Sequence, residues 1–210
     1  MGGKTGKLYL LNTANLGKEQ ANDAGATQAF YFDSGLSRPY SQSCTDTDGT
    51  FTAQINSYEN FGTAAYFNGS VYLGVTPTGL NTPAGVRQFT ISANNTVTPG
   101  IETAPSVQEK TRGTTPFISS DGTANGILWM IDEGQPLGSS TATTATLRAY
   151  DATNLTNELY NSGVNSGDAP GLGIKFTSPI VANGKLYIST GHDQESVPNP
   201  QGEIDVYGLK

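Results

Sequence analysis

The sequence has little cysteine and little histidine. One cysteine, Cys44, and one histidine, His192, occur in 210 residues. A single cysteine excludes an intramolecular disulfide, and with it a small fold held together by disulfides. Histidine-based metal sites and cysteine–histidine nucleophilic catalysis are therefore disfavoured, because each needs several of these side chains.

Charge and long apolar runs are also scarce. Only 14% of residues are charged, and 11 Lys and Arg stand against 18 Asp and Glu, for a net charge of −7. Without a basic cluster the chain cannot neutralise phosphates, so we expect no nucleic-acid partner. No apolar run approaches the roughly 20 residues that span a bilayer, so we expect no membrane span. Residues 1–4 also lack the apolar core of a signal peptide.

Turn-forming residues are abundant instead. The chain has 26 glycines and 11 prolines, together with many Ser, Thr and Asn residues. Its β-branched and aromatic residues cluster in short apolar runs. This combination is typical of many short strands joined by tight turns, and it disfavours long helices. We therefore predict an all-β fold.

An internal repeat is the strongest signal in the chain. Residues 68–73, 125–130 and 183–188 align without gaps, and their Asn-Gly pairs are 57 and then 58 residues apart. Each copy has an Asn-Gly pair, which favours a tight hairpin turn, followed by a short strand with an aromatic residue at the same place. We therefore predict three equivalent hairpins.

A second strand-like element follows each hairpin, and the chain opens with a copy of it at residues 7–17. Residues 30–35 and 158–163 add a further short strand after two of these elements. The full unit is a four-stranded antiparallel sheet, and such sheets bury both faces by stacking radially as propeller blades. The runner-up is a β-sandwich.

The predicted architecture is a single partial or small β-propeller domain over residues 1–210, of about three blade equivalents. Residues 36–59 and 92–112 are expected to be loops. The units are a partial blade at 7–35, a blade at 60–110 preceded by the long loop 36–59, a blade at 113–163, and an incomplete blade at 174–209.

Two segments carry a family resemblance. "SPIVANGKLYIST" (178–190) and "LRAYDATNLTNELYNSG" (147–163) resemble the repeat of PQQ-like, or quinoprotein-type, β-propellers. That family includes dehydrogenases and non-catalytic assembly scaffolds. The last third of the chain resembles the C-terminal blades of exported bacterial members, which implies a secreted or periplasmic protein whose signal is absent from this sequence.

The resemblance does not extend to the cofactor site. Members that bind the quinone hold it between a tryptophan floor and a vicinal disulfide. The one tryptophan here, Trp129, lies within a repeat strand, and there is no second cysteine. Tyr31 or Phe32 and Tyr160 replace the family's docking tryptophans. We therefore expect no bound PQQ.

The sequence offers three candidate sites, and for two of them a functional interpretation competes with a purely structural one. Asp46 and Asp48 resemble the start of an acidic calcium loop, although the third acidic position and the distal glutamate are missing, and the alternative is a polar surface turn. His192 next to Asp193 suggests acid–base chemistry, but neighbouring strand residues point to opposite faces, which favours a solvated histidine. Cys44 is expected to be a free thiol in a polar loop.

The repeated aromatic position, which holds Tyr72, Trp129 and Tyr187, is expected to pack between blades. The chain as a whole lacks a convergent catalytic set. It therefore predicts a non-catalytic binding or scaffold module that presents loops to a protein or glycan partner. The alternative is an enzyme, either a relic quinoprotein oxidoreductase or a carbohydrate-active enzyme that uses a carboxylate pair. Blades that start and stop part-way leave open strand edges, which predicts either self-association, with one copy's first strands completing the last blade of the next, or missing blades supplied elsewhere.

Overall fold

The computed structural model describes residues 7–18, 23–32, 42–45, 52–55, 58–60, 62–74, 76–77, 85–103, 114–133, 143–174, 176–191 and 202–208. These residues form short 3-10 turns but no α-helix. Their strands, in chain order, are β1 (Lys7–Leu10), β2 (Gln28–Tyr31), β3 (Gln42–Thr45), β4 (Thr52–Ile55), β5 (Tyr58–Glu59), β6 (Ala65–Phe67), β7 (Ser70–Gly74), β8 (Thr76–Pro77), β9 (Val86–Ile91), β10 (Val97–Glu102), β11 (Phe117–Asp121), β12 (Ala124–Asp132), β13 (Thr146–Asp151), β14 (Asn154–Asn161), β15 (Ile180–Ala182), β16 (Lys185–Gly191) and β17 (Gly202–Gly208).

The predicted all-β, antiparallel class is confirmed. Four sheets carry the repeat, and we number them in chain order. Sheet I is β1-β2, sheet II is β6-β7-β9-β10, sheet III is β11-β12-β13-β14, and sheet IV is β15-β16-β17. Each pairing is antiparallel between neighbours in the sheet, and none of the sheets closes on itself. Two further pairs, β3-β4 and β5-β8, form small separate ladders.

Two of the three predicted hairpins turn at the Asn-Gly pair. Asn68 and Gly69 have φ values of 45° and 79°, and Asn183 and Gly184 have 51° and 70°. Both pairs thus supply the two positive φ angles that a tight hairpin needs. The predicted turn at 125–126 is wrong. There the chain turns at Gly122, whose φ is 60°, and the ladder of β11 and β12 is irregular before Asp121 pairs with Ala124.

The two predicted loops also contain strands, which corrects the sequence-based reading. Within 36–59 the strands β3 and β4 pair from Gln42–Ile55 to Thr45–Thr52. Their polar sequence carries no apolar period, so it gave no strand signal. Within 92–112, β10 is the edge strand of sheet II. Pro99 and Gly100 interrupt its pattern, and an edge strand tolerates proline because one side of its backbone needs no ladder partner.

The four sheets pack in sequence, each against the next. Successive residues of a strand point to opposite faces of its sheet, so one strand can contact both neighbouring sheets. Three buried clusters result. Sheets I and II share Leu8, Phe32, Leu73, Phe89 and Val97; sheets II and III share Phe67, Tyr72, Val86, Leu128, Met130, Tyr150, Ala152 and Leu155; sheets III and IV share Ile131, Ala145, Leu147, Leu186 and Ile188.

Candidate functional site

A groove lies where the first strands of sheets II, III and IV begin. It is lined by residues 63–66, 115–118 and Ser178, and its volume is about 310 Å³. That volume is at the lower end of the range for small-ligand sites. We call it the first-strand groove.

The groove is built from one equivalent segment of each repeat. Ala65 pairs with Tyr72, Phe117 with Trp129, and Ile180 with Tyr187. Counting back two residues from the first member of each pair gives Thr63, Thr115 and Ser178. The repeat therefore places a hydroxyl-bearing residue from each of three sheets along one groove.

These hydroxyls differ in their partners. The Ser178 hydroxyl lies 3.4 Å from the carbonyl oxygens of Thr115 and Pro179, which ties the start of sheet IV to that of sheet III. The hydroxyls of Thr63 and Thr115 make no hydrogen bond to any described residue.

The remaining lining is apolar and aromatic. Tyr66 is 66% exposed, and its hydroxyl accepts a hydrogen bond from the Gly69 amide at 3.1 Å. Phe117 is half-buried. None of the described residues that line the groove carries a charge, so these residues supply no strong acid or base. Its surface suits an uncharged ligand that offers both hydroxyl groups and an apolar face.

One pair of described carboxylates meets outside the groove lining. The Thr190 hydroxyl donates to Asp205 at 2.5 Å and lies 3.4 Å from Glu203 Oε1. Asp205 also accepts a hydrogen bond from the Gly171 amide at 3.1 Å. Asp205 is the register partner of Ile188, so both carboxylates lie on the side of sheet IV that faces sheet III.

A charged cluster on sheet III went unnoticed in the sequence. Arg148 on β13 donates to Glu158 on β14 at 2.7 Å and lies 4.0 Å from Asp132. Tyr150 donates to the same oxygen of Glu158 at 3.1 Å. Opposite charges on neighbouring strands often pair, so the sequence did contain a signal for this ion pair. The register between β13 and β14 includes two irregularities, however, and these hid which residues meet.

The cluster shifts the acidities of its members. Burial opposes ionisation of Glu158, but hydrogen bonds from Arg148, Asn161 and Tyr150 outweigh it, so the pKa of this carboxyl lies below its ordinary value. Burial and the neighbouring Glu158 charge raise the pKa of the Tyr150 phenol. A carboxylate held ionised by an arginine is typical of a structural ion pair.

The residues singled out in the sequence are only partly placed. Asp46, Asp48, His192 and Asp193 lie outside the described residues, so calcium binding at the first two stays a prediction. Cys44 belongs to β3 and not to a loop. Within the described ranges, no three His, Cys, Asp or Glu side chains lie close enough together to hold a metal ion.

The repeated aromatic position does pack between sheets. Tyr72 contacts the cluster shared with sheet III, and Trp129 contacts the cluster shared with sheet IV. The Trp129 indole also donates to the Ser119 hydroxyl at 2.8 Å. The predicted packing role is therefore confirmed for these two residues. Tyr187 lies on the side of sheet IV that faces away from sheet III.

No family model matches this chain, and neither a curated protein nor a solved structure is detectably similar to it. In the part of the chain that the structure describes, no helix has the length and apolarity needed to cross a bilayer.

Proposed function

We propose that this chain is a non-catalytic binding module of the PQQ-like β-propeller type, whose sheets are blades and whose first-strand groove holds a neutral glycan. The observation that carries the proposal is a groove whose described lining is uncharged and includes Thr63, Thr115 and Ser178. Sheets stacked radially around a channel bring their first strands together, and a groove shared by three first strands fits that geometry.

The chemistry of the groove favours a glycan over a protein partner. Sugars combine many hydroxyl groups with an apolar ring face, so threonine and serine hydroxyls beside aromatic rings match both parts. The hydroxyls of Thr63 and Thr115, which make no hydrogen bond to a described residue, and the exposed Tyr66 provide such a surface. A groove of about 310 Å³ suits a short stretch of saccharide better than a folded protein surface.

Isothermal titration calorimetry with neutral oligosaccharides of glucose, mannose, galactose and N-acetylglucosamine tests the proposal. We expect at least one series to bind, and Thr115→Val to weaken it about tenfold, the loss expected for one hydrogen bond. The matched control is Thr90→Val, an exposed strand threonine outside the groove. If no oligosaccharide binds but a protein does, the glycan proposal is contradicted. The partner is then a protein, the other class that the sequence predicts.

A catalytic role is the second candidate, because Asp205 and Glu203 converge on Thr190. Asp205→Asn should then abolish hydrolysis of a chromogenic glycoside by the wild-type chain. If the wild-type chain does not hydrolyse the glycoside, the catalytic role of Asp205 and Glu203 is contradicted. The hydrogen bond from the Gly171 amide to Asp205 is then a structural contact. A stoichiometric quinone in the absorbance and mass spectra of the purified protein would instead favour the oxidoreductase alternative.

We also propose a secreted or periplasmic location, in keeping with a glycan ligand and with the exported members of the resembled family. Cell fractionation of the native source checks it. Recovery of the protein in the cytoplasm alone would contradict both the location and that part of the family resemblance.

A further inference from the structure

The repeat carries an Asn-Gly pair at the same place in three sheets, at 68–69, 125–126 and 183–184. Asparagine is chemically labile, and most of all before glycine, because a residue without a Cβ atom leaves its backbone nitrogen free to attack the asparagine side chain. The attack needs a glycine amide that can give up its proton and a backbone that can rotate. The three pairs share this chemistry but differ in how their sheets hold them.

The pair at 125–126 is held most firmly. Asn125 and Gly126 lie inside β12, and register pairs with β11 flank them on both sides. Gly126 is buried, and the ring of Phe67 fills the space where a Cβ atom would lie. Its carbonyl oxygen also accepts a 2.9 Å hydrogen bond from the Ala152 amide. Rotation of this backbone would therefore break strand pairing and disturb the contact between sheets II and III.

The pair at 68–69 is restrained through its glycine. The Gly69 amide donates a 3.1 Å hydrogen bond to the Tyr66 hydroxyl, and the Gly69 carbonyl oxygen accepts from the Ile91 amide at 2.8 Å. The amide must lose its proton before the nitrogen can attack, and a hydrogen-bonded amide does so less readily. Asn68 is therefore exposed to water but has a restrained neighbour.

The pair at 183–184 lacks both kinds of restraint within the described residues. Asn183 and Gly184 are exposed, and no described residue makes a hydrogen bond to either of them. Apart from chain neighbours, a Cβ atom at Gly184 would meet no atom within 4 Å. The pair links β16 to β15, which has three residues and lies at the edge of sheet IV. Opening of this turn therefore costs less free energy than opening at the other two pairs.

We propose that Asn183 is a site of spontaneous deamidation, and that in the folded protein it reacts faster than Asn68 and much faster than Asn125. Hydroxide removes the Gly184 amide proton, and the nitrogen attacks Cγ of Asn183. A C–N bond closes the succinimide ring as the side-chain nitrogen takes a proton from water and leaves as ammonia. Water then adds to either imide carbonyl and breaks its C–N bond, which leaves aspartate or isoaspartate at position 183. The net reaction consumes water and releases ammonia.

The isoaspartate product should loosen the edge of sheet IV. It adds a methylene group to the main chain of a two-residue turn, and it adds a negative charge. β15 is held to β16 by the register pairs from Ile180–Tyr187 to Ala182–Lys185. We therefore expect faster amide hydrogen exchange in β15 of the isoaspartate form than in the unmodified chain.

Peptide mapping by mass spectrometry tests the proposal on the whole chain, incubated at mildly alkaline pH and sampled over time. We expect Asn183 to convert roughly fivefold faster than Asn68, the factor for one hydrogen bond, and roughly tenfold or more faster than Asn125. In concentrated guanidinium chloride the three rates should converge, because the unfolded chain presents the same Asn-Gly unit at each site. Equal rates in the folded chain, no conversion at Asn183, or the same order of rates in the unfolded chain would each overturn the proposal.

Substitutions test the physical cause and the assignment. Tyr66→Phe removes the acceptor of the Gly69 amide, so Asn68 should react faster while the rate at Asn183 stays the same. Asn183→Gly removes the reacting side chain, and Gly-Gly still supplies the two positive φ angles of the turn. This variant should fold and lose the acidic form that ion-exchange chromatography separates from the wild-type chain, whereas the matched control Asn68→Gly should keep it. An acidic form of equal abundance in Asn183→Gly, or an unchanged Asn68 rate in Tyr66→Phe, would contradict the proposal.

Discussion

The phenol of Tyr72 donates a 2.6 Å hydrogen bond to the carbonyl oxygen of Ala152 and so joins sheet II to sheet III. The two residues are 80 positions apart, and both are buried. Burial raises the pKa of the Tyr72 phenol, so the group stays protonated and can donate throughout the physiological range. The same residue belongs to the buried cluster that includes Leu128 and Met130 of sheet III. One side chain thus supplies both apolar and polar contact between two neighbouring sheets.

Tyr72→Phe should destabilise the fold by about 1–3 kcal/mol, because a buried carbonyl oxygen loses its donor while the ring is kept. Urea denaturation followed by circular dichroism measures the change. The control is Tyr66→Phe, which removes the hydroxyl of an exposed tyrosine that only accepts from Gly69. Its effect should stay within about 0.5 kcal/mol. Equal effects of the two substitutions would contradict an inter-sheet role for the Tyr72 hydroxyl.

Gly126→Ala should cost about 1–3 kcal/mol through overpacking. A Cβ atom at this position would lie 2.4–2.8 Å from three ring carbons of Phe67 in the neighbouring sheet, and Phe67 is buried. Gly202→Ala is the control, because there the nearest atom is 3.7 Å away. Thermal unfolding of both variants measures the difference. Adding Phe67→Leu to Gly126→Ala should cost less than the two single effects combined, and strict additivity would show that the clash is absent.

Ser162→Ala should cost about 1–3 kcal/mol, because the buried Leu147 amide donates to the Ser162 hydroxyl at 2.9 Å and would lose its acceptor. Ser120 is the matched control, since its hydroxyl donates to the Gly122 carbonyl oxygen at an exposed turn. Chemical denaturation should show Ser120→Ala close to wild type. Amide hydrogen exchange at Leu147 should also accelerate in Ser162→Ala, and unchanged exchange there would count against the bond.

Glu158→Gln should destabilise the chain at neutral pH but not in acid. The pKa of Glu158 is lower in the fold than its ordinary 4.5, so its stabilisation is complete above that value and disappears as the pH falls through the folded-state value. Because the carboxylate is partly exposed, screening limits the effect at pH 7 to about 0.5–1 kcal/mol. Denaturation of both proteins at neutral pH and in strong acid measures it. A difference that does not change with pH would contradict the ionic contribution.

The sequence determined the fold class and the repeat. The Asn-Gly pairs at 68–69 and 183–184 turn their hairpins because both residues adopt positive φ, a local requirement that is visible in the residues themselves. The aromatic positions Tyr72 and Trp129 face the following sheet because alternation along a strand fixes the side on which each residue lies. These are consequences of short-range geometry, and sequence patterns report them well.

The sequence missed features whose pattern was weak or misleading. The polar strands β3 and β4 have no apolar period, and β10 is interrupted by Pro99 and Gly100. The expected turn at 125–126 lies instead at Gly122, although Asn125 also has a positive φ of 54°. In each case pairing with another strand, and not local preference, decides the conformation.

Only the tertiary structure decided which residues meet. Thr63, Thr115 and Ser178 are more than 50 positions apart along the chain, yet they line one groove because successive sheets align their first strands. Arg148 reaches Glu158 through a ladder with register shifts that no sequence pattern reports. The scarcity of cysteine, histidine and charge limited the chemistry from the start. Where the remaining hydroxyl, aromatic and apolar groups converge depends on sheet packing, because contacts between sheets join residues that share no local pattern.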